Sequence, residues 1–267
     1  MSAVANKTSI IDFENIYVNY GLTTVLENVN LKINSDENWV ILGANGSGKS
    51  TLMKLFSQDM YPNTRYNFKK EIFGKEKWIT SELKDVLGII TNDLQWQFLT
   101  MGQDVTAYEA VLSGFYSSIG IFKHQIYTSE QHKEVEKVME FLALTDIKNK
   151  KVREMSTGQL RRCIVGRALI HSPKAFILDE PTTGLDIFAQ RTFLKTLEDL
   201  SRQYPIILIT HNIEEVFETI THVALMHNNT VYKQGLKQDI LTSENLSEIF
   251  GMDLIVEENN GKYLLKY

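Results

Sequence analysis

Nine consecutive residues near the start of the chain contain the eight-residue phosphate-loop pattern G-x-x-x-x-G-K-[ST], and the first eight of them match it at every fixed position. They are Gly43, Ala44, Asn45, Gly46, Ser47, Gly48, Lys49, Ser50 and Thr51. Glycines allow successive backbone N–H groups to point into one concavity, Lys49 brings a positive charge to the β- and γ-phosphates, and Ser50 offers a hydroxyl to Mg²⁺. The stretch therefore predicts a binding site for a nucleoside triphosphate.

The flanks of this loop have the pattern that such a site requires. Residues 39–42 form a short apolar run, which is typical of a buried parallel strand. Residues 51–56 have helical spacing, so that the phosphates would lie at the N-terminus of a helix. Strand, loop and helix in this order favour a phosphate site over a chance glycine-rich turn.

Length and charge exclude several classes of protein. The 267 residues allow one large domain, or a core with an inserted subdomain, and a composition of 43% hydrophobic and 23% charged residues is ordinary for a globular protein. A formal net charge of −5 argues against a general nucleic-acid binder. We therefore interpret the basic clusters at residues 148–153 and at Arg161 and Arg162 as solvated faces.

The single cysteine, Cys163, cannot form an internal disulfide, so a reducing cytoplasm is the simplest setting. It occurs at helix-face spacing and is predicted to be a buried, unreactive residue. No signal-peptide core begins the sequence, and no window of about 18 apolar residues occurs. We expect a chain that does not enter a membrane by itself.

The periodicity predicts two further layers. Residues 9–34 resemble two antiparallel strands around a turn at Tyr20, whose ring could stack on a purine base or could be an ordinary half-buried strand tyrosine. Residues 104–143 have a helical pattern, with Ser129 as a candidate cap. Met101 and Met139 are interpreted as packing residues, because no histidine or cysteine cluster accompanies them.

Two more polar positions follow apolar strands. The run at residues 175–178 ends at Asp179 and Glu180, where open α/β sheets bind ligands. Asp179 can bind Mg²⁺, and Glu180 can orient or deprotonate water. His211 follows the strand predicted at residues 206–210 and is expected to contact the γ-phosphate.

These motifs together resemble those of ATP-binding cassette ATPases, in the same order and at similar separations, over roughly residues 9–234. Besides the phosphate loop, they are the signature Met155-Ser156-Thr157-Gly158-Gln159, then Asp179-Glu180-Pro181, then Gly184-Leu185-Asp186, then His211. The resemblance implies an α/β phosphate-loop NTPase core with a parallel sheet and flanking helices, an antiparallel β layer, and an inserted α-helical subdomain that carries the signature. We expect a core at residues 9–92 and 160–234, a helical subdomain at 93–159 and a C-terminal extension at 235–267.

The resemblance also implies roles for individual residues. It implies an ATP-dependent head-to-tail homodimer, in which Ser156, Gly158 and Gln159 of one subunit face the ATP bound by the other. Tyr20 would stack on the base, Asp186 would contact the dimer partner near its phosphate loop, Glu180 would be the catalytic carboxylate and His211 the γ-phosphate switch.

The chain departs from the family pattern at two places. Thr157 replaces a glycine of the usual signature, which can alter the dimer contact because threonine is β-branched. The position expected for the family's magnesium-contacting glutamine holds Asn92, and Gln95 and Gln97 follow a few residues later, so that either Gln95 takes the role or the role is lost.

The C-terminal run is similar to ATPase subunits of bacterial importers for iron complexes and related metal compounds. We therefore expect a Mg²⁺-dependent ATPase that binds transmembrane permease subunits, lies peripherally on the cytoplasmic face of the membrane and powers import of a metal complex. The alternative is a non-transport ATPase of the same family with a regulatory, stress or repair role, which the departure at Asn92 would suit.

Overall fold

The apolar run before the phosphate loop forms β3 (Trp39–Gly43), a strand that is buried along its whole length. It lies between two parallel neighbours, β7 (Ile206–Thr210) and β8 (His222–His227). β9 (Thr230–Leu236) pairs antiparallel with the other edge of β8. A strand that is covered on both faces needs continuous apolar side chains, and the predicted buried parallel strand is confirmed.

The computed structural model describes residues 8–259 and 261–266. The chain divides into two compact units. The first unit holds the described residues up to Leu83 together with those from Ser201 onward, and it contains β3 and its neighbours. The second unit holds residues 84–200.

The first unit also contains the predicted antiparallel layer. β1 (Ser9–Tyr20) pairs with both β2 (Thr23–Asn34) and β4 (Lys69–Ile72), so that the strand order is β2-β1-β4. The tight turn between β1 and β2 places Gly21 at a φ of +59°, which glycine adopts at no steric cost. α1 (Lys49–Phe56) follows the phosphate loop directly.

The C-terminal part of the first unit contains two β-hairpins. The turn between β8 and β9 is formed by Asn228 and Asn229, whose φ angles of 45° and 66° suit the tight turns of β-hairpins. α8 (Lys237–Ile240) and α9 (Ser243–Phe250) come next. β10 (Ile255–Asn259) and β11 (Lys262–Lys266) then pair antiparallel, and Asn260 lies outside the described residues.

α2 (Thr80–Val86) leads into the second unit, where two parallel strands are accompanied by helices. β5 (Leu87–Ile90) pairs in parallel with β6 (Ala175–Asp179). The helices are α3 (Asn92–Met101), α4 (Ala107–Leu112), α5 (Ser129–Phe141), α6 (Thr157–Leu169) and α7 (Ile187–Ser201). Parallel strands, an antiparallel layer and a helical stretch between β5 and β6 confirm the predicted α/β class.

The structure changes two local expectations. The cap of α5 is Thr128 and not Ser129, because the Thr128 side chain accepts the backbone N–H of Gln131. Met139 is buried as predicted, but the packing role predicted for Met101 is wrong, since this side chain is 72% exposed at the end of α3.

Cys163 has the predicted environment. It is a free cysteine with no exposed surface in the middle of α6. Burial raises the pKa of its thiol to about 12, because the thiolate would lose its hydration. The prediction that Cys163 is buried is confirmed, and its low reactivity stays a prediction.

Candidate active site

The phosphate loop of the first unit is closed around the Lys49 side chain. Lys49 Nζ donates to the main-chain oxygens of Gly43 and Ala44 over 2.8 and 3.0 Å, and the residue is only 5% exposed. Gly48 has a φ of +102° where the loop enters α1. A Cβ on Gly43 would lie 2.5 Å from the main-chain oxygen of Met226, so a larger residue does not fit. The loop is a backbone cradle with a cation at its centre.

One polar atom in this cradle is left without a partner. The Ser47 hydroxyl is buried and makes no hydrogen bond within the described residues. A buried hydroxyl without a hydrogen-bond partner lowers the stability of the folded state, and such groups usually bind a ligand or a water molecule. The sequence does not distinguish Ser47 from the other loop residues, whereas the structure shows that its hydroxyl has a hydrogen bond left to donate.

Tyr20 lies at the end of β1 with its ring 46% exposed. Lys54 of α1 donates to its hydroxyl over 3.2 Å, and the ammonium nitrogen lies 5.8 Å from the ring centroid. The aromatic ring is therefore held beside the helix that begins at the phosphate loop. His211, the other candidate in this unit, is exposed directly after β7.

In the second unit, β6 delivers the two candidate carboxylates. Asp179 is its last residue, and Glu180 follows with a φ of +45°, a conformation that non-glycine residues rarely adopt. Asp179 and Gln95 line one small cavity together with Asn92 and Arg161. The structure thus brings Gln95 and Asp179 together, as a shared magnesium role would require.

Arg161 is a site residue that the sequence interpretation missed. The predicted solvated face is wrong at this position, because Arg161 is only 5% exposed. Its guanidinium donates to main-chain oxygens of the loop after β6, at Glu180, Pro181 and Thr183, and to the side chain of Asn92. By contrast, Arg153 is exposed and Lys151 is partly exposed, and both form ion pairs with Asp104, as expected for a solvated cluster.

The signature residues form the first turn of α6. Ser156 is the N-cap, and its side chain accepts the backbone N–H of Gln159. Gln159 Oε1 accepts in return from the Ser156 N–H and from Lys150. Gly158 is nearly free of neighbours, since an added Cβ would meet only Ala189 at 3.5 Å. This helix end exposes N–H groups that suit an anion.

Asp186 also caps a helix. Its Oδ1 accepts the backbone N–H of Ala189 over 2.8 Å at the start of α7. The carboxylate is exposed, so this local role leaves it open to other contacts. Its predicted contact with a dimer partner remains a prediction.

Within the described residues 8–259 and 261–266, the structure contains no group of three or more histidine, cysteine or acidic side chains that could hold a metal ion. In the same part of the chain no helix has the length and apolar character needed to cross a bilayer.

Comparisons with known proteins agree with this geometry. A family model described as "ABC transporter" matches residues 26–183, which is more than half of the chain. An uncharacterised ABC transporter ATP-binding protein of Bacillus subtilis, YlmA, is 26% identical over 260 residues, covering 96% of each protein. The ferric enterobactin transport ATP-binding protein FepC of Escherichia coli is 27% identical over 247 residues, covering 91% of this chain and 88% of FepC.

A solved structure supports the same assignment. The protein cbiO1 from Clostridium perfringens, part of the ABC transporter complex cbiONQ, superposes with a TM-score of 0.74 at 26% identity. The match covers 91% of this chain and 94% of cbiO1. This chain belongs to the ABC transporter family, as an ATP-binding subunit that hydrolyses ATP.

Proposed function

We propose that this subunit powers the import of a metal complex through a membrane permease, by ATP-driven dimerisation. The similarity to FepC, whose name states ferric enterobactin transport, carries the proposed substrate class. The similarity of the C-terminal run to importers of iron complexes points the same way. The subunit would lie peripherally on the cytoplasmic face of the membrane.

The first part of the proposal concerns the phosphates. The loop from Gly43 to Thr51 would bind the triphosphate, with Lys49 and the Ser47 hydroxyl as donors. Ser50 and Asp179 would hold Mg²⁺, with Gln95 as a further oxygen ligand. These residues fit the ion, because magnesium in nucleotide sites takes few protein oxygens and completes its shell with water and phosphate. When bound, it would neutralise charge on the phosphates.

The second part concerns hydrolysis. Glu180 would orient and deprotonate the attacking water, since its carboxylate follows the strand that ends at Asp179. His211 would contact the γ-phosphate, and Tyr20 would stack on the base through its exposed ring face. In-line attack needs this positioning more than covalent chemistry from the protein.

The third part concerns the dimer. Ser156, Gly158 and Gln159 would bind the γ-phosphate of ATP held by a second, head-to-tail copy, because the exposed end of α6 presents backbone N–H groups and a hydroxyl. Asp186 would contact the phosphate loop of that copy. Neither copy would complete a site alone, which makes hydrolysis depend on dimerisation.

The fourth part concerns the permease. Exposed apolar side chains occur in both units. In the helical part of the second unit they include Trp96, Leu99, Met101, Ile121, Phe122 and Ile126. Met101 and Ile121 also line a groove of about 400 Å³, together with polar side chains that include Gln103, Asp104 and Glu109. Apolar patches of this kind mark interaction sites in soluble domains, and we propose that a permease segment binds here.

We also propose that residues 93–159 form the helical subdomain and that residues 235–267 form a separate C-terminal extension.

A Glu180→Gln variant tests the catalytic part. Removing a general base typically lowers the rate by about 10² to 10⁴, while the amide keeps the size of the side chain. We expect the variant to bind ATP, to form a stable dimer on a sizing column with ATP, and to release almost no phosphate. Turnover at the wild-type rate would refute the role of Glu180.

The same variant tests the transport part in its host. Tagged Glu180→Gln protein, held as a dimer with ATP, should capture a multi-span membrane protein in stoichiometric amount. Cells that carry this variant alone should lose uptake of a radiolabelled iron(III) complex. Recovery of a dimer without any membrane protein would favour the non-transport alternative, and unchanged uptake would exclude the proposed substrate class.

A further inference from the structure

Arg161 is a buried cation that donates to main-chain oxygens of one loop and to the side chain of Asn92. Its Nη1 donates to the main-chain oxygens of Glu180, over 3.3 Å, and of Pro181. Its Nη2 donates to the main-chain oxygen of Thr183, and to Asn92 Oδ1 over 3.2 Å. The planar guanidinium can serve several acceptors at once in fixed geometry, which lysine cannot do. Arg161 therefore ties the loop after β6 to α6 and to the start of α3.

The residue that this network holds is conformationally unusual. Glu180 has a φ of +45°, in a region that residues with a side chain occupy only when their surroundings impose it. Its main-chain oxygen accepts from Arg161 and also from the Thr183 N–H over 3.2 Å. The Thr183 hydroxyl lies 3.4 Å from Glu180 Oε2. Contacts from Arg161 and Thr183 thus fix the backbone from which the Glu180 carboxylate projects.

Asn92 also accepts a hydrogen bond from Arg161. It is the first residue of α3 and is exposed, yet its Oδ1 accepts from the buried guanidinium. Four residues further along the same helix is Trp96, in the surface proposed to bind the permease. Asn92 is therefore the point at which α3 contacts the support of Glu180.

We infer that Arg161 is a positioning residue for Glu180 and that Asn92 orients Arg161. The inference rests on the proposed catalytic role of Glu180. In this chain the hydrogen bond between Asn92 and Arg161 connects α3 to the catalytic loop, so that a displacement of α3 changes the position of the carboxylate. In this inference both residues act through the Glu180 backbone.

Two substitutions at Asn92 isolate the acceptor. Asn92→Leu keeps a similar size but removes Oδ1, whereas Asn92→Asp keeps an oxygen at the same place and pairs it with the guanidinium. Hydrogen bonds to charged groups are among the stronger ones. We expect Asn92→Leu to lower kcat about tenfold with KM for ATP unchanged, and Asn92→Asp to stay within about twofold of wild type. Since Asn92 is exposed, both variants should fold, which thermal unfolding will check.

Arg161→Lys and Arg162→Lys form the matched pair on α6. Lysine at 161 keeps the charge but cannot reach acceptors in both the loop and Asn92, so kcat should fall more than tenfold. Arg162 instead donates to the main-chain oxygens of Leu142 and Ala143, away from the Glu180 loop. Arg162→Lys should therefore hydrolyse ATP within about twofold of wild type.

The outcomes separate this inference from the proposed function. If Glu180→Gln is inactive while Asn92→Leu turns over ATP like wild type, the positioning role is refuted and the catalytic role of Glu180 stands. If kcat falls as far in Asn92→Asp as in Asn92→Leu, the loss of the Asn92 acceptor does not explain the lower rate. The same holds for the Arg161 hydrogen bonds if kcat falls as far in Arg162→Lys as in Arg161→Lys. An active Glu180→Gln variant would instead overturn the proposed function.

Discussion

Ser156 and Gln159 cap α6 reciprocally. The Gln159 N–H donates to Ser156 Oγ over 3.3 Å, and the Ser156 N–H donates to Gln159 Oε1 over 3.0 Å. Thr128 and Gln131 cap α5 with the same pair of bonds, of 3.2 and 2.9 Å. Only the first pair belongs to the proposed nucleotide contact, so the cap of α5 is a natural control for the cap of α6.

The first prediction compares Ser156→Ala with Thr128→Ala. Each change removes an N-cap side chain and should lower the free energy of unfolding by about 1 kcal/mol. Only Ser156→Ala should also weaken ATP-driven dimerisation and lower turnover, because its hydroxyl is proposed to face the γ-phosphate of the partner copy. Urea unfolding and ATPase assays on both variants measure the two effects. An equal loss of turnover in both would mean that Ser156 acts through helix stability alone.

The second prediction concerns a buried lysine in the β layer. Lys70 of β4 is 4% exposed, its Nζ has no hydrogen-bond partner within the described residues, and it lies 5.2 Å from the ring centroid of Tyr61. Desolvation lowers the pKa of its amine to about 8, from an ordinary value of 10.5. The unfolded state therefore binds more protons between these values, and stability rises with pH across that interval.

Lys70→Met should consequently stabilise the protein by about 1 to 3 kcal/mol at pH 7, with a gain that declines from pH 8 and is lost near pH 10.5. The control is Lys69→Met, next to it in β4. Hydrogen bonding to Asp12 over 2.7 Å raises the pKa of Lys69 above 10.5, so this variant should be less stable by an amount that stays constant up to about pH 10.5 and declines only above it. Urea denaturation of both variants from pH 6.5 to 10.5 measures these trends. A pH-independent effect of Lys70→Met would contradict a charged, desolvated amine.

The third prediction concerns the single cysteine. Cys163 has no exposed surface and a thiol pKa of about 12, so almost no thiolate exists at pH 8. Alkylation by iodoacetamide should be much slower in the native protein than in urea, and excess Mg·ATP should slow it further, because a ligand that binds the folded state suppresses unfolding. Mass spectrometry of labelled protein over time gives the rate. Rapid stoichiometric labelling of native protein at pH 8 would show that α6 opens readily.

The phosphate loop and its strand could be predicted from the sequence because each fixed position of the loop has a specific steric or chemical requirement that few residue types meet. At Gly43, for example, any side chain would meet the Met226 backbone. The start of α6 is also readable in the residues, since Ser156 and Gln159 match a capping box. The same rule separates Thr128 from Ser129, because glutamine lies three residues after Thr128 and histidine three after Ser129.

Arg161 could not be located in this way. A charged residue predicts exposure unless its partners are known, and here the partners are mostly backbone oxygens of a loop distant in sequence. One signal was available, since residues 163–166 are apolar around most of the helix, which is typical of a buried helix. The prediction that Met101 is a packing residue was wrong for the opposite reason. An apolar side chain predicts burial, but at a helix end it can belong to a surface that binds another protein.

The fourth prediction concerns the proposed permease surface. Trp96 is 61% exposed on α3, and large exposed aromatic side chains often dominate binding energy in protein interfaces. Trp96→Ala in the Glu180→Gln background should lower the amount of captured membrane protein at least tenfold, since truncating such a residue commonly costs about 2 kcal/mol or more. Tyr61→Ala is the control, because Tyr61 is equally exposed but belongs to the first unit. Capture that is unchanged in Trp96→Ala, or equally reduced in Tyr61→Ala, would exclude α3 as the specific permease contact.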